Sequence, residues 1–364
     1  MQTDLASAAQ ARAARRPQPR TAVERMAPYS PPTAGRQGKL RLDFNENTAG
    51  CSPRVLQALK RLATRERLAI YPEYGEAREK LAAFFGIGPG QLLFTNGTDE
   101  AIQVLVNTYV DGGASVLLLA PSYAMYRFYS EVAGARILEI PYRPADLSFP
   151  LDELLDSITP ETRAILIANP NNPTGTQVDL DGIRRILGKA AGAAVLIDEA
   201  YFEFCGTTAL GLIGEFPNLF VSRTFSKVYG MAALRLGCLF SQAENIAWLH
   251  KGQSPYSVNA LAVLCACEAV EDQNYVRKYV AEALESRRAL CRELDRLGIF
   301  YYPSAANFVL ARFGGRSIEI RDRLRAKGVL VRDRSYEIPG CIRITVGRKA
   351  QLRRFLQVLR EVLA

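Results

Sequence analysis

Between about residues 90 and 240 the chain alternates short apolar runs with longer stretches in which apolar residues recur every three or four positions. That alternation predicts strands and helices in turn, and so a mainly parallel sheet covered on both faces. The predicted strands are 92–95, 116–120, 137–140, 164–168, 194–198, 219–224 and 236–240. Between them, 99–109 places Ile102, Leu105 and Tyr109 on one helical face, and 180–191 does the same with Ile183, Ile186 and Leu187. From about 260 onward two long helical stretches flank strand-like segments at 307–311 and 341–346, and a helix closes the chain from Lys349. This second pattern predicts a smaller α+β unit. Residues 1–38, rich in Ala, Arg, Pro, Gln and Ser without periodicity, read as a flexible arm. No internal repeat is visible.

Composition adds limits. With 364 residues and 48% hydrophobic content there is room for two cores. The longest apolar runs, 115–120 and 193–197, are far too short to span a bilayer. The net charge of +9 is concentrated in Arg12, Arg15, Arg16 and Arg20 and near the C-terminus. No zinc-ligand spacing or RNA-binding aromatic motif accompanies it, so affinity for small anions is expected rather than a nucleic-acid partner. Seven widely spread cysteines predict a reducing, cytoplasmic setting. Cys265 and Cys267 sit two apart in an apolar helical run, on different faces, and read as core residues rather than metal ligands. The Arg-rich start lacks the apolar segment of a secretory signal; a transit peptide is the alternative, against which Asp4 and weak amphipathicity argue.

The chemistry must come from few residue types. Gly86 to Gly90 precedes a strand and lacks dinucleotide-loop spacing, and no Walker loop is present. His250 is the only histidine, so a Ser-His-Asp triad could form only there and histidine metal clusters are excluded. Four segments remain. Lys227, in Thr224-Phe-Ser-Lys227, follows an apolar strand and lies between hydroxyls, although a solvated loop lysine would look similar. Asp198 ends the run Val195-Leu-Ile-Asp198, at the sheet edge where open α/β sheets bind ligands. A carboxylate there keeps a pyridine nitrogen protonated, or merely caps a helix. Asn169-Pro-Asn-Asn-Pro-Thr-Gly175 is a stiffened loop whose Asn172 offers an amide donor. Asn96-Gly-Thr-Asp-Glu100 joins a strand to a helix, where free backbone N–H groups favour a phosphate.

The order and spacing of these segments resemble the fold type I enzymes that use pyridoxal 5′-phosphate (PLP). From about Pro28 the chain resembles the histidinol-phosphate aminotransferase family over roughly nine tenths of its length. The strings that carry the likeness are Pro28-Tyr29, Leu42-Asp-Phe-Asn-Glu-Asn47, Tyr71-Pro72, Gly97-Thr-Asp-Glu-Ala-Ile102, Pro121-Ser-Tyr-Ala-Met-Tyr126, the loop ending at Gly175, Asp198-Glu-Ala-Tyr201, Arg223-Thr-Phe-Ser-Lys227 and Gly340-Cys-Ile-Arg-Ile-Thr-Val-Gly347.

The resemblance implies a three-layer α/β/α large domain with a mainly parallel mixed sheet, plus a smaller α+β domain. The expected boundaries are an arm over 1–38, an N-terminal part of the small domain over 39–70, the PLP-binding domain over 71–259 and the small domain over 260–364. It makes Lys227 the Schiff-base lysine and Asp198 the partner of the pyridine nitrogen. Tyr201 and Asn172 meet the ring hydroxyl, Tyr123 stacks on the ring, and Gly97, Thr98, Asp99, Thr224, Ser226 and Arg235 receive the phosphate. Tyr71 reaches the phosphate of a neighbouring subunit, which implies a homodimer with the active site at its interface. Arg343 and Arg332 bind the substrate's anionic group, with Tyr29 and Tyr256 closing over it. The expected reaction is transamination of histidinol phosphate with 2-oxoglutarate, in histidine biosynthesis. Alternatives on the same frame are an aromatic amino-acid aminotransferase and an O-phosphothreonine decarboxylase; a non-catalytic PLP-binding protein is the alternative of another class. Two departures from the family pattern, Asn47-Thr48 and Cys51-Ser-Pro53, fall near the expected site.

Overall fold

A computed structural model describes residues 17–29 and 32–364. Most of the expected N-terminal arm, residues 1–16 together with 30 and 31, lies outside the described residues. Twelve strands follow in chain order: β1 (Leu40–Leu42), β2 (Leu92–Thr95), β3 (Ser115–Ala120), β4 (Arg136–Pro141), β5 (Thr162–Ala168), β6 (Ala194–Asp198), β7 (Leu219–Thr224), β8 (Gly237–Phe240), β9 (Tyr301–Tyr302), β10 (Phe308–Arg312), β11 (Val329–Asp333) and β12 (Cys341–Thr345). They form a seven-stranded sheet in the order β2-β8-β7-β6-β5-β3-β4 and a five-stranded sheet in the order β1-β11-β12-β10-β9.

In the large sheet the pairs β7–β6, β6–β5, β5–β3 and β3–β4 are parallel, while β8 runs antiparallel to both β7 and β2. The sheet is therefore mixed and mainly parallel, as the alternating pattern predicts. Its strands β5, β6 and β7 are almost wholly buried, because helices cover both faces and continuous Val, Ile and Leu runs pack inward on either side. The hydrophobic interior accordingly divides into two clusters across this sheet, one built on Ile165, Ile167, Val195 and Ile197, the other on Leu166, Leu196, Phe220 and Leu239. The helices Pro53–Leu62 and Ala260–Glu271 pack into the first of these clusters through Val55, Ala58, Val263 and Ala266. Cys265 and Cys267 are buried there as core residues, without disulfide partners.

The five-stranded sheet has its own cluster of Leu40, Leu42, Val309, Ile342, Ile344 and Val331, closed by the helices Gln273–Arg296, Ser317–Ala326 and Lys349–Leu363. Here β1 joins parallel to β11, and β12 runs antiparallel to β11 and β10. The short strands β1 and β9 and the strand β11 are additions to the sequence pattern. β1 has three residues, with Leu40 and Leu42 buried and Arg41 between them exposed, too brief for a periodic signal.

Residues 43–47 tie the two sheets together. Asn45, with φ of 56°, exchanges hydrogen bonds with Thr345 on β12 (Asn45 N to Thr345 Oγ1, 3.1 Å; Thr345 Oγ1 to Asn45 Oδ1, 3.0 Å). Its Nδ2 donates to Tyr201 Oη beside the large sheet at 2.9 Å. Asn47 Nδ2 donates to Val228 O at 2.7 Å, and Asn47 Oδ1 accepts from the N–H groups of Ala49 and Gly50. The two family departures lie just beyond, where Gly347 comes so close to Thr48 that an added Cβ would overlap its side chain.

Candidate active site

The register explains why the four segments meet. Thr95 pairs with Gly237 and Gly237 with Thr224, so the end of β2, the end of β7 and the start of β8 share one edge. Ala168 pairs with Asp198, and Asp198 with Ser222, which brings the ends of β5 and β6 to that same edge. Loops leaving an open α/β sheet at its carboxyl edge form a crevice there.

Asp198, the last residue of β6, is buried and accepts hydrogen bonds from Tyr126 Oη and Ser222 Oγ, each at 2.9 Å. Both donors are neutral, and among the described residues no cation pairs with this carboxylate. Burial pushes its pKa up to about 6, against the pull of the two hydroxyls. A buried, charge-uncompensated carboxylate of this kind marks a place for a cationic group.

Lys227 stands on the turn after β7. Its Nζ donates to the Phe44 carbonyl at 3.0 Å and lies 5.9 Å from the Tyr201 ring centroid. Burial lowers its pKa to about 8, with Arg343 adding to the fall and Glu46 and Asp99 opposing it. An amine so poised is neutral often enough near physiological pH to act as a nucleophile or base. The turn is held from below, since an added Cβ at Gly230, with φ of 68°, would lie 2.5 Å from the Gly50 carbonyl carbon and oxygen.

At the start of the Gly97–Tyr109 helix, Asp99 accepts from Tyr123 Oη at 2.7 Å and from Arg235 Nη2 at 3.0 Å. Gly97, with φ of 73°, leaves room for that guanidinium; an added Cβ would lie 2.4 Å from Arg235 Nη2. Thr224 Oγ1 accepts from Ser226 N at 3.0 Å. The Thr98 amide lies 2.9 Å from where a Cβ on Gly237 would sit. Backbone N–H groups, hydroxyls and a guanidinium therefore converge at a helix N-terminus, an arrangement suited to an anion.

On the other side, Arg343 on β12 faces Arg332 on β11 as a cross-strand pair. Like charges directly opposite are destabilising unless something neutralises them. Arg343 is buried; it donates to Asn172 Oδ1 through Nη1 and to Asp43 O through Nη2, while its Nε has no partner. Burial, reinforced by Arg334 and Arg332, lowers its pKa to about 10. Arg332 lies over the Phe44 ring at 5.6 Å, and Arg36, clamped by Asp43 and Glu46, lies over that ring at 4.2 Å. Because Asn172 accepts through Oδ1, its Nδ2 is the end with protons to give. Because the Tyr201 hydroxyl accepts from Asn45, it keeps its own proton for another acceptor.

Tyr123 stands edge-on to Tyr126 at 5.7 Å, and Tyr29, half exposed, is close enough to Tyr123 to influence its hydroxyl. A cleft of about 540 Å³ runs from Ser122, Tyr123 and Tyr126 across to Glu337 and Pro339; it adjoins the Lys227 crevice without including Lys227. Tyr71 and Tyr256 form a separate, exposed pair with ring centroids 4.5 Å apart.

Several residues of the site escape sequence reasoning: Phe44, Asn45, Tyr126, Ser222 and Arg334. Ser222 has a signal, a hydroxyl within an otherwise apolar strand, and Tyr126 closes one of the family strings. Phe44 acts through its carbonyl, which leaves no trace in sequence. Arg334 is buried and pairs with Glu337.

The family model for class I and II aminotransferases matches residues 37–359. A histidinol-phosphate aminotransferase of Symbiobacterium thermophilum is 37% identical over 94% of this chain and 98% of its own length. One from Bacillus cytotoxicus is 36% identical over 86% of this chain and 85% of its own. The crystal structure of histidinol-phosphate aminotransferase from Sinorhizobium meliloti in complex with pyridoxal 5′-phosphate superposes with a TM-score of 0.86 at 26% identity, covering 95% of this chain and 97% of that one.

Proposed function

The chain belongs to the class I and II aminotransferases, and from that premise we propose that it transfers the amino group of L-histidinol phosphate to 2-oxoglutarate, using PLP. The products are imidazole-acetol phosphate and L-glutamate. The observation that carries the substrate reading is the opposed pair Arg332 and Arg343, with a buried Nε on Arg343 that no acceptor meets. Histidinol phosphate has no carboxylate, so its phosphate takes the place that the α-carboxylate of glutamate takes in the other half-reaction. Guanidinium groups bind both through paired donors.

The residues present fit PLP. Asp198 lacks a cation and suits the protonated ring nitrogen. The 97–99 helix start with Arg235, Thr224 and Ser226 suits the phosphate, Asn172 and Tyr201 suit the ring hydroxyl, and Tyr123 suits the ring face. When bound, the cofactor supplies an electron-withdrawing ring that stabilises negative charge on the substrate carbon. Lys227 would hold the cofactor and, once free as a neutral amine, would take up and give back the proton that leaves the substrate Cα. Arg332 and Arg343 orient the substrate, while Tyr29 closes over its anion; Tyr256, stacked on Tyr71, goes with it to the anion bound by a second subunit. Tyr71, 75% exposed, serves the phosphate of a second subunit, which makes the working form a homodimer. No helix among the described residues is long and apolar enough to cross a membrane, and a cytoplasmic setting accords with seven cysteines that form no disulfide.

The test is a coupled assay with 2-oxoglutarate on the purified protein, comparing histidinol phosphate, phenylalanine and O-phosphothreonine. Glutamate should form fastest with histidinol phosphate. Preference for phenylalanine would move the assignment to an aromatic transaminase, and CO2 without glutamate from O-phosphothreonine would make it a decarboxylase.

A further inference from the structure

Away from the Lys227 crevice, a hollow of about 270 Å³ opens between one face of the Gln273–Arg296 helix and the chain around β9. Arg287, Arg288, Cys291 and Arg292 line the helix side, where positions three and four apart are neighbours; Tyr301 and Ser304 line the other. Among the described residues, no carboxylate lies within ion-pair distance of Arg287, Arg288 or Arg292. Glu293 pairs with Arg296 and Arg360, and Glu285, on the same helix, pairs with Lys349 while feeling the charges of Arg288 and Arg292 from beyond ion-pair distance. Asp295, the one carboxylate in the wall, accepts from Tyr301 Oη at 3.3 Å. Three guanidinium groups thus face a single carboxylate.

Arg287 is fixed in place, half-buried, by a 2.6 Å hydrogen bond from Nη1 to Ala306 O. Ser304 Oγ accepts from Ala306 N at 3.2 Å, so its own proton is free to donate inward. We propose that this hollow is a binding site for a small phosphate-bearing dianion, distinct from the catalytic centre. Guanidinium forks match phosphate oxygens, and the volume falls just below the usual range of about 300–1,000 Å³ for ligand pockets. Inorganic phosphate or a short phosphate monoester fits; a nucleotide does not. The bound anion braces the turn at Ser304 and Ala305, which presses on the end of the Asn172 loop: Ala305 N donates to Gly175 O at 2.9 Å, and a Cβ on Gly175 would lie 2.4 Å from Ser304 Oγ.

Cys291 reports on the site directly. The holoenzyme is alkylated with N-ethylmaleimide in inorganic phosphate, in glycerol 3-phosphate, or in chloride at equal ionic strength, and each cysteine is followed by peptide mass spectrometry. Either phosphate should slow Cys291 alone, roughly tenfold at ten times the dissociation constant, with Cys51 and Cys205 unchanged; the stronger protector identifies the ester or the free ion as the ligand. Arg288→Glu/Arg292→Glu should keep the transaminase rate and lose the protection. Equal protection by chloride, or protection retained in the double variant, overturns the proposal. Calorimetric titration with phosphate tests it without the thiol: the parent holoenzyme should bind one phosphate more than the double variant, and equal uptake overturns it too.

Discussion

At the scale of single residues, the site is set by burial acting on two groups of opposite charge. The folded pKa of Asp198, about 6, stands above the ordinary carboxylate value, so the ionised form is penalised in the fold and stability is lost as pH rises through that window. At neutral pH the cofactor-free protein carries a penalty of about 1–3 kcal/mol on this account. Asp198→Asn should therefore raise the melting temperature of the cofactor-free protein by a few degrees and weaken PLP binding roughly 30-fold or more, the loss of one partner in a buried charge pair costing about 2–5 kcal/mol. Thermal unfolding and absorbance titration read the two effects, and an unchanged or lower melting temperature contradicts the account. Lys227 has the complementary behaviour. With a pKa near 8 its amine gains nucleophilic form as pH rises, so the rate of PLP capture by the cofactor-free protein should climb through about pH 8 and level off above it. Stopped-flow absorbance measures that rate, and a flat profile there refutes the lowered pKa. Each of the two ends or follows an apolar strand, which alone singles out neither; together with the other segments they stand out in the sequence. Asn45 does not, since its role rests on a partner 156 residues away, and Ser222 shows only as a hydroxyl in an apolar strand, without its partner 24 residues away.

At the scale of elements, alternating apolar runs were enough to place every strand of the large sheet: the inner strands, buried on both faces, write themselves as continuous Val, Ile and Leu, and even the largely exposed edge strand β4 keeps the apolar Ile137, Leu138 and Ile140. The five-stranded sheet was harder to see. β1 offers only Leu40 and Leu42 inward, and β11 carries Arg332 and Asp333 at its end, so neither shows a clean period. The opposition of Arg332 and Arg343 follows from strand order, which no local pattern encodes. Turn geometry carries its own prediction. Gly230 combines a positive φ with a backbone approach to Gly50 that no side chain could share. Gly230→Ala should thus displace the Lys227 turn, lowering the melting temperature by several degrees and kcat more than KM; a variant with parent stability and turnover would show that this turn tolerates displacement.

At the scale of the whole molecule, the exposed Tyr71–Tyr256 pair is the place to test whether two chains complete one site. If Tyr71 serves a neighbour, Lys227→Ala and Tyr71→Ala subunits, each impaired alone, should complement when unfolded and refolded together. Random pairing makes half the dimers mixed, and each mixed dimer has one intact site, so recovered activity should approach about a quarter of the parent value. Activity no higher than the average of the two parents excludes a shared site. A different coupling runs within each chain. The Lys227 amine rests on the Phe44 carbonyl, and the residues on either side of Phe44 clasp the five-stranded sheet through Arg343 and Thr345. If Lys227 takes hold of the cofactor as proposed, its amine leaves that carbonyl and the strap between the two sheets loses one of its fastenings. Cofactor loading would therefore be felt at residues 43–45, the point where the two sheets are joined, before any substrate arrives.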